Sequence, residues 1–280
     1  MTDKPANALG YRRDHVELAR AACLHIATIL GDLAGDIVVV GGLVPSLIVD
    51  QRNLPDGAEP HAGTMDLDLG LALAVLDNER YQTLAERLRV AGFSPDRNSR
   101  GQTVLQRWRT DGGVMVDFLV PPGPGASRGG RLRHFEKDFA AIVTPGLSLA
   151  FQDVVHVQLD GRTLSGERAQ RTIQVCGPGA FMVLKALAFD GRGESKDAYD
   201  LFYVLRNFGN GPRDVADRMG PLMSAVETKL ALDVLRRDFA DLDAVGPARV
   251  ASFLTAGPDD AIQAEVVGFV GRLLALCGRA

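Results

Sequence analysis

Apolar and polar positions follow two different periods along the chain, and the change of period predicts its elements. From Arg13 to about Leu33 apolar residues recur at helical spacing, whereas "DIVVVGG" (36–42) is a β-branched run typical of a buried strand. Alternation in "GTMDLDLGLA" (63–72) predicts a second strand, and "QTVLQRWRT" and "VMVDFLV", joined by a glycine turn, predict a hairpin. From Pro178 onward the spacing is helical.

These elements predict an α+β protein. We expect a mixed sheet with flanking helices in residues 1–176 and a helical region in residues 177–280. With 280 residues, of which 46% are hydrophobic, the chain can build one large core or two smaller ones.

Composition and charge narrow the function classes. The net charge of -4 gives no electrostatic case for nucleic-acid binding by the whole molecule, although it leaves room for a local basic patch. No apolar run approaches the roughly 20 residues of a membrane span, and the N-terminus lacks the apolar core of a secretory signal. Three scattered cysteines suit reduced thiols. We therefore expect a cytoplasmic protein with no membrane partner.

Two carboxylates lie side by side on the strand at 63–72. Since side chains alternate along a strand, Leu67 and Leu69 face the core, while Thr64, Asp66 and Asp68 share the other face. At roughly 6 Å and an effective dielectric of about 20, two carboxylates repel by on the order of 3 kcal/mol. A divalent cation that prefers oxygen ligands, Mg²⁺ or Mn²⁺, would turn this net repulsion into net attraction. The alternative is a solvated face of a half-exposed strand.

Asp117 is the only charge in "VMVDFLV". If this strand lies beside the one at 63–72, Asp66, Asp68 and Asp117 converge on one sheet surface. Two metal ions held there could activate a hydroxyl group and hold a triphosphate for in-line displacement. Taken alone, an aspartate such as Asp117 is more often an exposed strand residue than a metal ligand.

Gly41 and Gly42 follow the first strand and open a short helix. Glycines at this place let backbone N–H groups approach a phosphate, although a tight turn with positive φ explains them equally well. The order of strand, Gly-Gly, short helix, "TMDLDL" and later strand aspartate resembles the nucleotidyltransferase superfamily of the DNA polymerase β type. The resemblance implies that Gly41, Gly42 and Thr64 bind the nucleotide, and that the three aspartates are the catalytic metal ligands.

The segment "FMVLKALAFDGRGESKDAYDLFYVL" (181–205) resembles AbiEii-type toxins of abortive-infection systems, in which a helix with a lone lysine precedes a basic-Asp-x-x-Asp helix. The resemblance implies that Lys185 meets a nucleotide phosphate and that Lys196, Asp197 and Asp200 lie in or near the active site. The helical region would thereby complete the nucleotide site. The alternatives are a surface lysine whose ammonium reaches water and a solvated, salt-bridged helix start.

Together, these resemblances imply a magnesium-dependent nucleotidyltransferase that moves a nucleoside monophosphate from an NTP to an acceptor hydroxyl. The acceptor could be the 3′ end of a tRNA or another RNA, with the protein acting as a toxin that has a cognate antitoxin. Alternatives are a small-molecule acceptor such as an aminoglycoside, a protein acceptor, or a non-catalytic nucleotide-binding module. Arginines near the hairpin could line an RNA path or be scattered solvated charges: Arg97, Arg100, Arg107, Arg109, Arg128, Arg131 and Arg133.

Overall fold

The computed structural model describes residues 5–55, 57–72, 78–123 and 129–278, without the side chains of residues 13 and 78–81. The fold is α+β, as predicted. In chain order, the elements before residue 177 are α1 (Arg13–Leu30), β1 (Ile37–Val40), α2 (Val44–Ile48), β2 (Asp66–Leu71), α3 (Asn78–Val90), β3 (Ser94–Arg97), β4 (Thr103–Arg109), β5 (Met115–Val120), β6 (Leu132–Glu136), β7 (Phe139–Val143), β8 (Val154–Arg162) and β9 (Arg168–Cys176). The elements after it are α4 (Pro178–Arg192), α5 (Ser195–Asn207), α6 (Pro212–Met219), α7 (Val226–Phe239), α8 (Val245–Thr255) and α9 (Asp260–Cys277).

The chain divides into two compact units. The sheet unit contains residues 13–43 and 63–176, and the helical unit contains residues 5–12, 44–62 and 177–278. The chain therefore enters the helical unit at residue 44 with α2 and returns to the sheet unit at residue 63, three positions before β2.

In the described residues, the sheet unit holds nine strands in one mixed sheet. Its main order is β3-β4-β5-β2-β1-β9-β8, and β7 joins the end of β5 and carries β6. The pair β2 and β5 is parallel, whereas β1 runs antiparallel to β2, and β4 runs antiparallel to β5. The last pair confirms the predicted hairpin, and its turn includes Gly113 with φ of +82°.

The predicted alternation on β2 is confirmed by burial. Leu67, Leu69 and Leu71 are fully enclosed, and α1 packs against the same sheet through β2, β8 and β9. Gly70 faces the other way, where a side chain would press on Leu147. The apolar face of β2 thus lies in the core, which leaves Asp66 and Asp68 on the opposite face.

Some element bounds differ from the predicted ones. The strand predicted over 63–72 is regular only from Asp66, since Gly63 has φ of +99° and breaks the extended path. The spacing of apolar residues also predicts a helix from Asp77 to Ala91. The structure describes this helix from Asn78, and Asp77 itself lies outside the described residues. The run "PPGPGASRGG" (121–130) predicts a loop. It is irregular where it is described, while its residues 124–128, Arg128 among them, lie outside the described ranges.

In the helical unit, α4 and α5 form a hairpin. Pro178 occupies the first turn of α4, where its missing N–H costs no hydrogen bond, and Gly193 ends the helix in the left-handed conformation with φ of +64°. Tyr199 and Tyr203 of α5 then pack with Phe253 of α8 and with Val49 from the 44–62 segment. This apolar cluster fixes one face of α5 against residues that are remote in sequence.

One helical stretch, Asp14–Asp36, is long and apolar enough to cross a membrane by length and composition alone. Half of its most apolar window is buried inside the structure, and core helices of globular proteins meet the same criterion. The stretch comprises α1 and the 3-10 turn after it, Gly31–Asp36. The absence of a membrane partner stays a prediction.

Candidate functional site

The three predicted aspartates converge on one face of the sheet. Asp68 of β2 lies directly beside Asp117 of β5 in the parallel register, and Asp66 precedes Asp68 by one full strand repeat. One carboxylate oxygen from each residue lies within 4.8 Å of the other two. Asp66 and Asp117 are buried and Asp68 is half-buried, so the cluster is not a fully solvated strand face.

Thr64 orients the first carboxylate. Its hydroxyl oxygen Oγ1 donates a 2.9 Å hydrogen bond to Asp66 Oδ1, and both side chains are buried. The predicted residue therefore lies in the carboxylate cluster.

Gly41 lies against the second carboxylate. Its φ is +72°, and a Cβ built on it would meet Asp68 Oδ2 at 1.8 Å and Asp68 Cγ at 2.6 Å. Only glycine fits both the conformation and the space. Gly41 and Gly42 form a 3-10 turn, Gly41–Leu43, directly after β1, whose Val40 pairs with Asp68. The sheet therefore brings the predicted glycine turn to the carboxylate cluster.

Arg107 pairs with the third carboxylate. Its Nε and Nη2 donate hydrogen bonds of 2.7 and 2.6 Å to the two oxygens of Asp117. The pKa of Arg107 is raised by this bidentate bond and further by the nearby charges of Asp66 and Asp68, although partial burial opposes the shift. The sequence suggested Arg107 only as part of an RNA path; its pairing depends on the register of β4 on β5, which residue spacing alone does not give.

The three carboxylates and their glycine neighbour fit a divalent ion. Carboxylate oxygens are the preferred ligands of Mg²⁺ and Mn²⁺, and three acidic residues so close together are stabilised by a cation. The cluster Asp66, Asp68 and Asp117 could therefore bind a metal ion.

A second charged cluster lies inside the helical unit and contains the other predicted site residues. Lys185 Nζ of α4 donates hydrogen bonds of 2.9 Å to Asp197 Oδ1 and 2.8 Å to Asp200 Oδ2, both on α5. All three side chains are at least nine-tenths buried. Burial lowers the pKa of Lys185, but Asp197 and Asp200 outweigh it and raise the pKa above its usual value. Lys185 is thus not a surface lysine whose ammonium reaches water.

Two further cations complete this cluster. Lys196 forms an i,i+4 ion pair with Asp200 and lies over the rings of Tyr11 and Tyr199. Burial, and then the charge of Lys185, lower the pKa of Lys196 despite the nearby Asp200. Arg192 donates hydrogen bonds of 2.6 and 2.8 Å to the two oxygens of Asp197.

His61 joins the cluster from the 44–62 segment. Its Nε2 lies 2.8 Å from Asp200 Oδ1, and its side chain is completely enclosed. Burial, and then the charge of Lys196, lower the pKa of His61 to about 4, so the neutral ring donates the hydrogen bond to the carboxylate. Burial alone would raise the pKa of Asp200, but Lys185 and Lys196 hold it well below its usual value.

The same face of α5 makes two further hydrogen bonds to the 44–62 segment. Tyr199 Oη accepts a 2.9 Å hydrogen bond from the backbone N–H of Ala62, and Tyr203 Oη donates one of 3.0 Å to Gln51 Oε1. Sequence reasoning missed His61 because its partner lies 139 positions away. A histidine flanked by small residues in a polar loop carries no local signal of burial.

Comparison with known proteins adds no family to this description. No model of a known protein family matches the chain, and no curated protein sequence matches it significantly. Membership of the nucleotidyltransferase superfamily, which the motifs imply, stays a prediction.

Proposed function

We propose that the protein is a divalent-metal-dependent nucleotidyltransferase that transfers a nucleoside monophosphate from an NTP to an acceptor hydroxyl. The observation that carries this proposal is the convergence of Asp66, Asp68 and Asp117, with oxygens within 4.8 Å of one another, on a sheet face that also presents Gly41. A solvated strand face would have no need of three carboxylates in so small a space.

Each predicted site residue of the sheet unit has a part in this proposal. Asp66 and Asp68 would hold the metal ion, oriented by Thr64 and Gly41. Asp117 would be the third ligand or accept the proton of the acceptor hydroxyl. The bound ion would supply a positive charge for the triphosphate and acidify a bound hydroxyl. The backbone N–H groups of Gly41 and Gly42 would contact phosphate oxygens.

The acceptor and the biological setting follow from the motif resemblance alone. We propose that the acceptor is an RNA and that the 3′ end of tRNA is the first candidate. We also propose that the protein is cytoplasmic and acts as a toxin with a cognate antitoxin. The notion that Lys185, Lys196, Asp197 and Asp200 contact the nucleotide belongs to the same proposal. Within the helical unit these four residues already neutralise one another, which favours an indirect role over direct contact with substrate.

The decisive experiment measures nucleotidyl transfer. The purified protein is incubated with Mg²⁺, each labelled NTP in turn and total RNA, beside Asp68→Asn and the matched control Asp160→Asn, an exposed aspartate on β8. We expect label in a tRNA-sized band, unchanged in the control and reduced at least about a hundredfold in Asp68→Asn, because a metal ligand is lost. Transfer that survives Asp68→Asn would overturn the proposed site, and label in protein would replace RNA as the acceptor.

A further inference from the structure

We infer that Arg107 is a fixed counter-cation of the carboxylate cluster, which keeps the affinity for a divalent ion low until a nucleotide arrives. The inference rests on the proposed metal site and adds a residue that sets the affinity of that site. It starts from one contact, the bidentate ion pair between Arg107 and Asp117.

The ion pair is neither loose nor fully exposed. The side chain of Arg107 is 25% exposed and that of Asp117 is 11% exposed, so solvent screens the pair less than it screens a surface salt bridge. Two N–H···O bonds, one to each oxygen of Asp117, hold the guanidinium against the carboxylate. The positive charge therefore has a defined place beside the cluster.

The sheet holds the arginine there. Arg107 of β4 lies directly opposite Asp117 of β5 in the antiparallel register, so the two side chains share one face. The next residue, Trp108, faces the other way, is completely buried, and packs edge-on against Phe139 with ring centroids 5.7 Å apart. This anchor prevents β4 from moving Arg107 away without loss of the core contact.

The ion pair leaves room for a metal ligand at Asp117. A carboxylate has about four lone-pair positions, and Arg107 uses one on each oxygen. A divalent ion could therefore bind Asp117 while the ion pair persists, but it would meet a positive charge within hydrogen-bond distance of its third ligand. That repulsion weakens binding of the bare ion, whereas an ion that arrives with the negative charge of a triphosphate is repelled less.

The test compares the effect on metal affinity of removing the positive charge at position 107 with that of removing the charge at position 109. Mn²⁺ binding to the full-length protein is measured by isothermal titration without nucleotide, for the wild type, Arg107→Gln, Arg107→Lys and Arg109→Gln. Arg109 is the matched control, because it lies on the same strand and pairs with Asp96 rather than with the cluster. We expect Arg107→Gln to bind Mn²⁺ about tenfold tighter or more, and Arg107→Lys and Arg109→Gln to bind as the wild type does.

The outcomes separate this inference from the proposed function. Equal or weaker binding by Arg107→Gln, or a tenfold gain in Arg109→Gln, overturns the inference alone. If Arg107→Gln does not fold, Arg107→Lys decides, since a tenfold gain there shows that charge is not the cause. Asp68→Asn serves as the site control: Mn²⁺ binding that persists in it, or is missing from the wild type and every variant, overturns the metal site and the inference with it.

Discussion

The absence of a side chain at Gly41 allows the Asp68 carboxylate to occupy its observed position. A Cβ atom there would lie 1.8 Å from Asp68 Oδ2, well inside van der Waals contact, and the φ of +72° is strained for any other residue. Gly41, which the sequence suggested for phosphate binding, therefore also leaves the space that the Asp68 carboxylate occupies.

The prediction is that Gly41→Ala weakens Mn²⁺ binding at least tenfold by displacing Asp68. Gly101→Ala is the matched control, since Gly101 has nearly the same φ, +75°, and a Cβ added there would meet no neighbour within 4 Å. Both variants bear a backbone strain of about 1 kcal/mol or more, seen as lower thermal stability. Equal Mn²⁺ affinity in the two variants would show that Asp68 tolerates the added methyl group.

His61 makes the stability of the helical unit depend on pH. Its pKa is about 4 in the folded protein and 6.5 when unperturbed, so between these values the unfolded chain binds a proton that the folded chain does not. The contribution of His61 to stability is complete above pH 6.5 and is lost as the pH falls to about 4, by on the order of 3 kcal/mol.

We expect the free energy of unfolding, from urea titrations at several pH values, to fall over that window in the wild type. The fall should be smaller in His61→Gln, which keeps an N–H donor for Asp200 but does not titrate. His134→Gln, at an exposed histidine on β6, is the control and should retain the wild-type slope. If the free energy of unfolding of His61→Gln falls with pH as steeply as that of the wild type, other groups cause the loss of stability in acid.

At the scale of elements, the pair α4 and α5 depends on one buried ammonium. Lys185 of α4 bridges two carboxylates that lie three positions apart on α5. Arg192 and Lys196 each pair with only one of these carboxylates. Removing one partner from a buried ion pair costs more than the pair contributes, because the other charge stays buried.

Lys185→Met keeps the length of the side chain and removes its charge. We expect it to lower the free energy of unfolding by about 3–5 kcal/mol, measured by urea denaturation. Lys229→Met, at an exposed lysine of α7, should change stability by less than about 0.5 kcal/mol. A loss below about 1 kcal/mol in Lys185→Met would mean that Arg192 and Lys196 suffice to hold both carboxylates.

At the scale of the molecule, hydrogen exchange of the backbone amides separates the effect of a metal ion from that of a nucleotide. We expect Mn²⁺ alone to slow hydrogen exchange in β2 and β5, because it stabilises the state in which Asp66, Asp68 and Asp117 are held together. If the helical residues take part in nucleotide binding, a non-hydrolysable NTP analogue added with Mn²⁺ should extend the slowing to α4 and α5. If the analogue leaves the hydrogen-exchange rates of α4 and α5 unchanged, Lys185 and its partners have only a structural role.

The predictable parts of the molecule are those that depend on local pattern. Alternation with period two placed Asp66 and Asp68 on one face of a strand without reference to any other residue, and the glycine turn at 112–113 indicated the hairpin that contains Asp117. The partnership of Arg107 with Asp117 required the register between two strands, and that of His61 with Asp200 required the path of a whole segment. Side-chain pairing across long sequence separations depends on packing, which a single sequence does not encode in any one place.

The passage of residues 44–62 into the helical unit has a consequence for synthesis on the ribosome. The hydrogen-bond partners of this segment on α5, Tyr199, Asp200 and Tyr203, lie between 137 and 152 positions further along the chain. At translation rates of about 5–20 residues per second, the segment waits roughly 7–30 s for them. During that interval Val49 and its apolar neighbours have no core to enter, so the nascent chain offers chaperones a binding stretch that the finished protein conceals.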